Sequence, residues 1–110
     1  MTSILDDIKG MLGITPEETA FDSDIINHIN GAFGTLNQLG VGLTVGYQIT
    51  GRDNQWAEFY TDPRLNGVKT FVFLTTKLFF DPPSTGFATT SMERQIQELS
   101  YRLNVVADYG

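Results

Sequence analysis

The sequence predicts a mostly α-helical fold, a small bundle of about four helices with a short extended or β segment around residues 41–55. Two observations predict it. In four stretches the apolar residues recur every three or four positions, which is the spacing of one face of a helix. Between the second and third stretches the chain is instead rich in glycine and β-branched residues, a composition typical of a strand or an extended loop.

The first predicted helix begins at Ser3, where Ser-Ile-Leu-Asp resembles a capping box. The Ser3 hydroxyl can accept from a free backbone N–H at the helix start, and acidic residues suit the positive end of the helix dipole. Gly13 and Pro16 bracket the end of this helix. Its buried stripe is predicted to contain Ile4, Ile8, Met11 and Leu12.

The second predicted helix begins at Asp22, a residue type that commonly caps helix N-termini. Gly31 and Gly34 weaken it locally, since a glycine inside a helix costs about 1 kcal/mol relative to alanine. We expect these glycines to allow the close approach of a neighbouring helix or subunit. The apolar stripe contains Ile25, Ile29, Ala32, Leu36 and Leu39, widened by Ile26 and Phe33.

After the segment at 41–55 comes an aromatic cluster of Trp56, Phe59 and Tyr60. We expect it to start a helical turn and to seal one end of the core.

The third helix is predicted over Arg64–Phe80, with Asp62 as its cap and Pro63 in the first helical position. A strand competes here because the segment is rich in β-branched and aromatic residues. The uninterrupted pattern favours a helix, about 25 Å long. Because it is apolar on so many sides, this helix must be covered on more than one of them.

The stretch KLFFDPPSTGF, residues 77–87, ends the third helix. Residues 81–83, Asp-Pro-Pro, forbid helical continuation. Phe79 and Phe80 are adjacent and cannot point the same way on a helix. If one of them faces the core, the other needs a different partner, so this corner is predicted to leave apolar surface for a neighbouring molecule.

The last helix is predicted from a capping box at Thr90–Glu93. Glu98 and Arg102 form a favourable pair four residues apart on its polar face. Its apolar stripe contains Met92, Ile96, Leu99, Leu103 and Val106.

Length and composition exclude several classes of protein. The 110 residues predict one domain, 1–110, and the net charge of −6 with seven scattered Lys and Arg argues against binding DNA by neutralising phosphates. An acidic surface is compatible with DNA passing by without sticking. There is no cysteine, no basic signal-like N-terminus and no apolar run long enough to span a membrane, so we expect a soluble intracellular product.

No pattern of residues predicts catalysis. The single histidine, His28, lacks a cysteine or second histidine for a catalytic or metal-binding set, and Asp22 and Asp24 are better explained as helix-start residues than as cation ligands. The glycines match no phosphate-binding motif, and no carboxylate pair stands at a helical spacing in an apolar setting. We therefore expect no enzymatic activity, no cofactor and no metal.

Several motifs together resemble the head-tail connector proteins of tailed bacteriophages, the head completion or adaptor family. They are the Ile4-Leu-Asp-Asp7 start, a W-x-x-F at Trp56 and Phe59, the helix end Leu78-Phe-Phe-Asp-Pro-Pro83, and E-L-x-x-R-L at Glu98–Leu103. The most specific part of the resemblance is F-D-P-P followed, after a short spacer, by the helix that contains E-L-x-x-R-L. The resemblance covers nearly the whole chain.

The resemblance implies a non-catalytic subunit of the virion's head-tail junction, assembled in the host cytoplasm. Such subunits form a ring, usually of twelve copies, that docks on the portal protein and meets other connector or tail-completion proteins. DNA passes through the channel without sequence-specific binding, and no membrane is involved. With twelve copies the formal charge, 12 × −6, is about −72, which favours a channel that does not bind DNA if enough of this charge lines the lumen. The expected contacts with a neighbouring subunit or the portal are Phe80, Pro82, Pro83 and Phe87.

Two other functions remain open from the residues alone. A small helical phage-encoded regulator or inhibitor would bind a host protein through an amphipathic groove or helix. A small hydrolase would need carboxylates clustered around a pocket.

Overall fold

The computed structural model describes residues 3–109 and contains four α-helices. They are α1 (Ile4–Met11), α2 (Asp22–Gln38), α3 (Gly67–Phe80) and α4 (Gly86–Tyr109), with two short 3-10 turns at Trp56–Glu58 and Pro63–Leu65. The predicted small helical bundle is confirmed. The segment at 41–55 is an irregular loop, since no β-strand occurs between residues 3 and 109. Over the same residues, none of the helices combines the length and the apolarity that a membrane span requires.

Helix α3 lies at the centre of the bundle. It packs mainly against α2 and α4 and also touches α1. Its buried residues, Val68, Phe71, Val72, Leu74 and Thr76, point in several directions around the helix. The prediction that this helix is covered on more than one side is therefore confirmed. At its start, a Cβ on Gly67 would lie 3.2 Å from Leu99 Cδ2, so the glycine lets α4 come close.

The first helix forms largely as the sequence predicts. The Ser3 hydroxyl accepts a hydrogen bond from the Asp6 amide at 3.0 Å, which confirms the predicted cap. Ile4 and Ile8 are fully buried. Met11, by contrast, is 48% exposed, so its predicted place in the buried stripe is wrong. Leu5 takes a place in the core instead.

A buried lysine fastens the connection between α1 and α2. Lys9 has no exposed surface. Its ammonium lies 2.8 Å from Asp22 Oδ1 and donates to the carbonyls of Pro16 and Glu18 at 3.2 and 2.6 Å. Two hydrogen bonds and one ion pair therefore compensate the burial of the charge.

The position of Asp22 corrects one prediction. Helix α2 is preceded by Phe21, which makes no side-chain capping bond, and Asp22 is the first helical residue rather than the cap. Its carboxylate is engaged by Lys9, so its role is to pair a buried charge. Asp24 also lies in the first turn, where a negative charge suits the helix dipole.

The two glycines of α2 have open space in front of them within residues 3–109. A Cβ added to Gly31 or Gly34 would have no atom within 4 Å. The expectation that another helix of the chain approaches these glycines is therefore wrong, and a neighbouring subunit stays a prediction.

The aromatic cluster seals one end of the core, as predicted. Trp56, Phe59 and Tyr60 are buried, and Phe33 of α2 lies with its ring centroid 4.5 Å from that of Phe59. The Trp56 indole N–H donates to Asp7 Oδ2 at 2.7 Å, which satisfies the polar end of the ring and ties the turn to α1.

The starts of the last two helices differ from the predictions. Asp62 does accept from the Arg64 amide at 2.9 Å, but it caps the 3-10 turn Pro63–Leu65, and α3 begins only at Gly67. Helix α4 begins at Gly86, so the predicted capping box at Thr90–Glu93 lies inside the helix and is wrong.

The predicted faces of α4 are nevertheless correct. Met92 and Leu103 are buried, while Ile96, Leu99 and Val106 are partly covered. Glu98 and Arg102 form the expected ion pair on the exposed side.

We predict that Lys9→Met lowers the free energy of unfolding by about 3 kcal/mol, because two carbonyls lose their donor and the Asp22 carboxylate loses its ion-pair partner. Urea denaturation followed by circular dichroism measures this change. Lys77→Met is the matched control: the Lys77–Asp81 pair has side-chain exposures of 31% and 62%. Its loss is expected to cost at most about 1 kcal/mol. Equal losses in the two variants would contradict the role of Lys9.

Candidate assembly surface

The corner between α3 and α4 is fixed by local polar contacts. The Lys77 ammonium donates to the Asp81 carbonyl at 3.1 Å and to Asp81 Oδ2 at 3.2 Å, so a cation covers the C-terminal end of α3. The two prolines that follow prevent the helix from continuing. The Thr85 hydroxyl then accepts from the Ala88 amide at 3.2 Å, in the manner of a cap for α4.

The two adjacent phenylalanines point in different directions, as predicted. Phe80 is half-buried, packs against the core, and meets Phe21 edge to face with centroids 5.6 Å apart. Phe79 is the outward ring and is 65% exposed. It stacks on His28 of α2, with centroids 6.1 Å apart and planes 18° apart. The lone histidine thus serves as an aromatic neighbour.

The four predicted contact residues occupy different depths at this corner. Phe87, in the first turn of α4, is 87% exposed, and Pro82 is also exposed. Pro83 and Phe80 are half-buried. The structure therefore leaves Phe87 and Pro82 accessible to another molecule, while Phe80 and Pro83 are partly covered. The contact residues predicted from the sequence do not include Phe79. The signal that could have identified it is that adjacent side chains on a helix point in different directions.

A second apolar feature is the tip of the 41–55 loop, here called the loop tip and comprising Leu43, Thr44 and Val45. Leu43 is 64% and Val45 94% exposed. The backbone beneath them is held firmly. Asn37 of α2 accepts from the Gly46 amide at 2.9 Å and donates to the Thr44 carbonyl at 3.4 Å. The loop therefore presents two aliphatic side chains from a fixed backbone.

The rest of the loop is docked by other polar side chains. Asn30 of α2 makes two hydrogen bonds with the backbone of Ile49. Its Oδ1 accepts from the Ile49 amide at 2.8 Å, and its Nδ2 donates to the Ile49 carbonyl at 3.0 Å. Asn54 accepts from the Thr50 amide at 2.8 Å. Asn30 and Asn37 stand two helical turns apart, and this i, i+7 spacing of amides is the signal in the sequence that the predictions missed.

Tyr47 and Glu58 tie the loop to the turn at Trp56. The Tyr47 hydroxyl donates to Glu58 Oε1 at 2.7 Å, and Asn54 donates to the same oxygen at 3.1 Å. The bond from Tyr47, with that from Asn54, lowers the pKa of Glu58. Burial, followed by the bond to Glu58, raises the pKa of Tyr47.

A groove runs along α2 beside the exposed Phe79. This α2–α3 groove has a volume of about 320 Å³ and is lined by Asn27, His28, Gly31, Thr35, Thr75 and Phe79. Towards α4 it continues into a second hollow of about 280 Å³ that reaches Glu93 and Gln97. A cluster of three His, Cys, Asp or Glu arranged to hold a metal does not occur in residues 3–109. The prominent surface features of residues 3–109 are exposed apolar side chains and the hollows beside them.

A family model described as a phage connector protein matches residues 4–110. The chain belongs to the phage connector protein family. The match confirms the resemblance seen in the sequence motifs, because it spans nearly all of the chain. Comparison with curated proteins and comparison with solved structures each give no match. A structural connector role is consistent with the apolar contact surfaces of this connector protein.

We predict that Gly42→Ala destabilises the connector protein by about 3 kcal/mol. Gly42 has φ +118°, and a Cβ there would lie 2.6 Å from Phe59 Cε1 in the core. Thermal unfolding measures the loss. Gly46→Ala is the control, because Gly46 has φ +75° but open space around it. It is expected to cost about 1 kcal/mol through backbone strain alone. The same cost at both positions would contradict the clash with Phe59.

We also predict that acid weakens the docking of the 41–55 loop. Because the pKa of Glu58 is lowered in the folded state, its stabilising effect is present above its unfolded value of about 4.3 and is lost as the pH falls through the folded value. Tyr47→Phe removes the largest cause of this shift. Its free energy of unfolding should therefore fall less between about pH 6 and about pH 3 than that of the natural chain. Parallel pH profiles would contradict the assignment.

Proposed function

We propose that this chain is a structural subunit of the phage head-tail connector. In this proposal it forms a ring that docks on the portal and links the DNA-filled capsid to the tail, while leaving a channel for DNA. The observation that carries the proposal is the family match over residues 4–110. Residues 1–110 then act as one connector domain at the head-tail junction of the virion, assembled in the host cytoplasm, with no enzymatic activity.

The distribution of apolar surface supports assembly. Among residues 3–108, seven large apolar side chains are about half exposed or more: Met11, Phe21, Leu43, Val45, Phe79, Phe87 and Tyr101. Scattered exposed apolar residues are normal, and Met11 is one of them, but five of the seven lie at the α3–α4 corner, the loop tip and α4: Phe79, Phe87, Leu43, Val45 and Tyr101. Surfaces of this kind are covered in an assembled ring.

The α3–α4 corner is the proposed contact region with a neighbouring subunit or the portal. Phe87 and Pro82 would make the contact, and Phe80 and Pro83 would support them from below. The short polar bonds of Lys77 and Thr85 hold this corner in shape, which lowers the entropic cost of contact.

The charge of the chain suits a DNA channel. A ring of twelve copies would carry a formal charge of about −72, from 12 × −6. If enough of that charge lines the lumen, it repels the DNA backbone and keeps the duplex from binding. A reconstruction showing a basic lumen would contradict this part of the proposal.

The test is mass measurement and negative-stain imaging of the purified chain with and without its portal protein. We expect rings, or binding that depends on the portal. Phe87→Ser and Pro82→Ser should weaken that binding at least about tenfold without loss of helicity. Met11→Ser, at an exposed apolar site on α1, is the control. A monomer that ignores the portal and binds a host protein instead would favour a regulator and overturn the proposal.

A further inference from the structure

One face of α4 is not covered by anything in the described chain. Phe87, Arg94 and Tyr101 follow each other at intervals of seven residues, so they line up along a single side of the helix. We call them the α4 outward face. The two aromatic residues are 87% and 71% exposed, and they lie about 21 Å apart along the axis. A helix face with two such rings has apolar surface available for a partner.

The α2–α3 groove is a concave surface of the same subunit. It is walled on the α2 side by Gly31 and Thr35, which are small, and on the α3 side by the exposed Phe79. Gly31 and the nearby Gly34 destabilise a helix relative to alanine, and no atom of the described chain fills the space in front of them. Space without a Cβ allows another helix to approach closely.

The charge pattern argues that the partner is a second copy of the same chain. Copies with a net charge of −6 repel each other unless they meet through uncharged surface. Between Asp24 and Arg52 the sequence has no Asp, Glu, Lys or Arg, and this interval contains the α2 wall of the groove. Interface centres are depleted of charged residues in the same way.

The two charges that flank these surfaces are opposite in sign. Glu93 stands where the groove reaches α4, and Arg94 lies on the α4 outward face beside Phe87. Within residues 3–109 neither side chain takes part in an ion pair, whereas Arg52, Arg64 and Arg102 each do. An arginine on one copy and a glutamate on the next therefore give the contact a preferred register.

We infer that the α4 outward face of one copy packs against the α2–α3 groove of the next, with Phe87 in the hollow beside Gly31 and Phe79, Arg94 paired to the neighbour's Glu93, and Tyr101 beyond that pair. The inference rests on the proposed ring, because it assigns two different surfaces of the subunit to one head-to-tail contact. A contact between unlike surfaces closes into a ring when its rotation allows, as the proposed function requires.

The first test is Gly31→Gln in the full chain. The longer side chain meets open space in the single subunit, so the variant should unfold at the same temperature or higher. It should lower the apparent association constant for rings, free or on the portal, at least about tenfold in analytical ultracentrifugation. Gly10→Gln is the matched control, because Gly10 is also an exposed helical glycine with no atom near its Cβ, on α1. It should assemble normally.

The second test exchanges the charges. Arg94→Glu and Glu93→Arg should each weaken assembly, because each places like charges across the contact. An equimolar mixture of these two variants should assemble again, since alternating copies then restore an opposite pair at every contact. The double variant should also recover. No recovery in either case would overturn the register.

The outcomes separate this inference from the proposed function. If the natural chain and Gly31→Gln form rings equally well, the inference is overturned and the connector role stands. If Gly31→Gln and Arg94→Glu bind portal but no longer form rings, the inference is supported. If the natural chain neither assembles nor binds portal, both proposals fail together.

Discussion

The need to cover α3 governs the rest of this structure. This helix carries apolar side chains on several sides, and water must be kept from each of them. Helix α2 covers one side, α4 another, and α1 reaches a third. The other helices cover the C-terminal end of α3 only in part, because Phe80 is half-buried there and Phe79 is exposed. The same helix that organises the core therefore also brings apolar surface to the outside.

Polar side chains hold the non-helical segments of this structure against its helices. The ammonium of Lys9 closes the connection between α1 and α2, and the amides of Asn30 and Asn37 bind the backbone of the long loop. Each of these groups satisfies backbone atoms that have no helical partner, which is how a non-helical segment can lie against a helical core at low cost.

Much of the fold follows from local patterns in the sequence. Four helices, the cap at Ser3, the turn at Trp56 and the buried faces of α2 and α4 all depend on spacing or on contacts within one turn. The errors have two causes, one a contact distant in sequence and the other a local helix start. Asp22 was predicted to cap α2, but its carboxylate pairs with Lys9, thirteen residues earlier. The predicted capping box at Thr90 lies inside α4, because this helix already begins at Gly86.

The assembly surfaces were predictable to a smaller extent. The corner at the two prolines is visible in the sequence because proline stops a helix, and Phe87 was identified there. Which of Phe79 and Phe80 faces outward depends on the contact of Phe80 with Phe21, some sixty residues away, and periodicity does not reveal it. The loop tip was missed because its position is set by Asn37 from another element.

At the loop tip, the residues that fix the backbone conformation are different from the residues whose apolar side chains are exposed. Its backbone course is set by Asn37 and by Gly42, neither of which contributes an apolar side chain to the exposed surface. Leu43 and Val45 project from that course without supporting it. Substitution of these two side chains therefore changes the chemistry of the exposed surface at little cost to the fold.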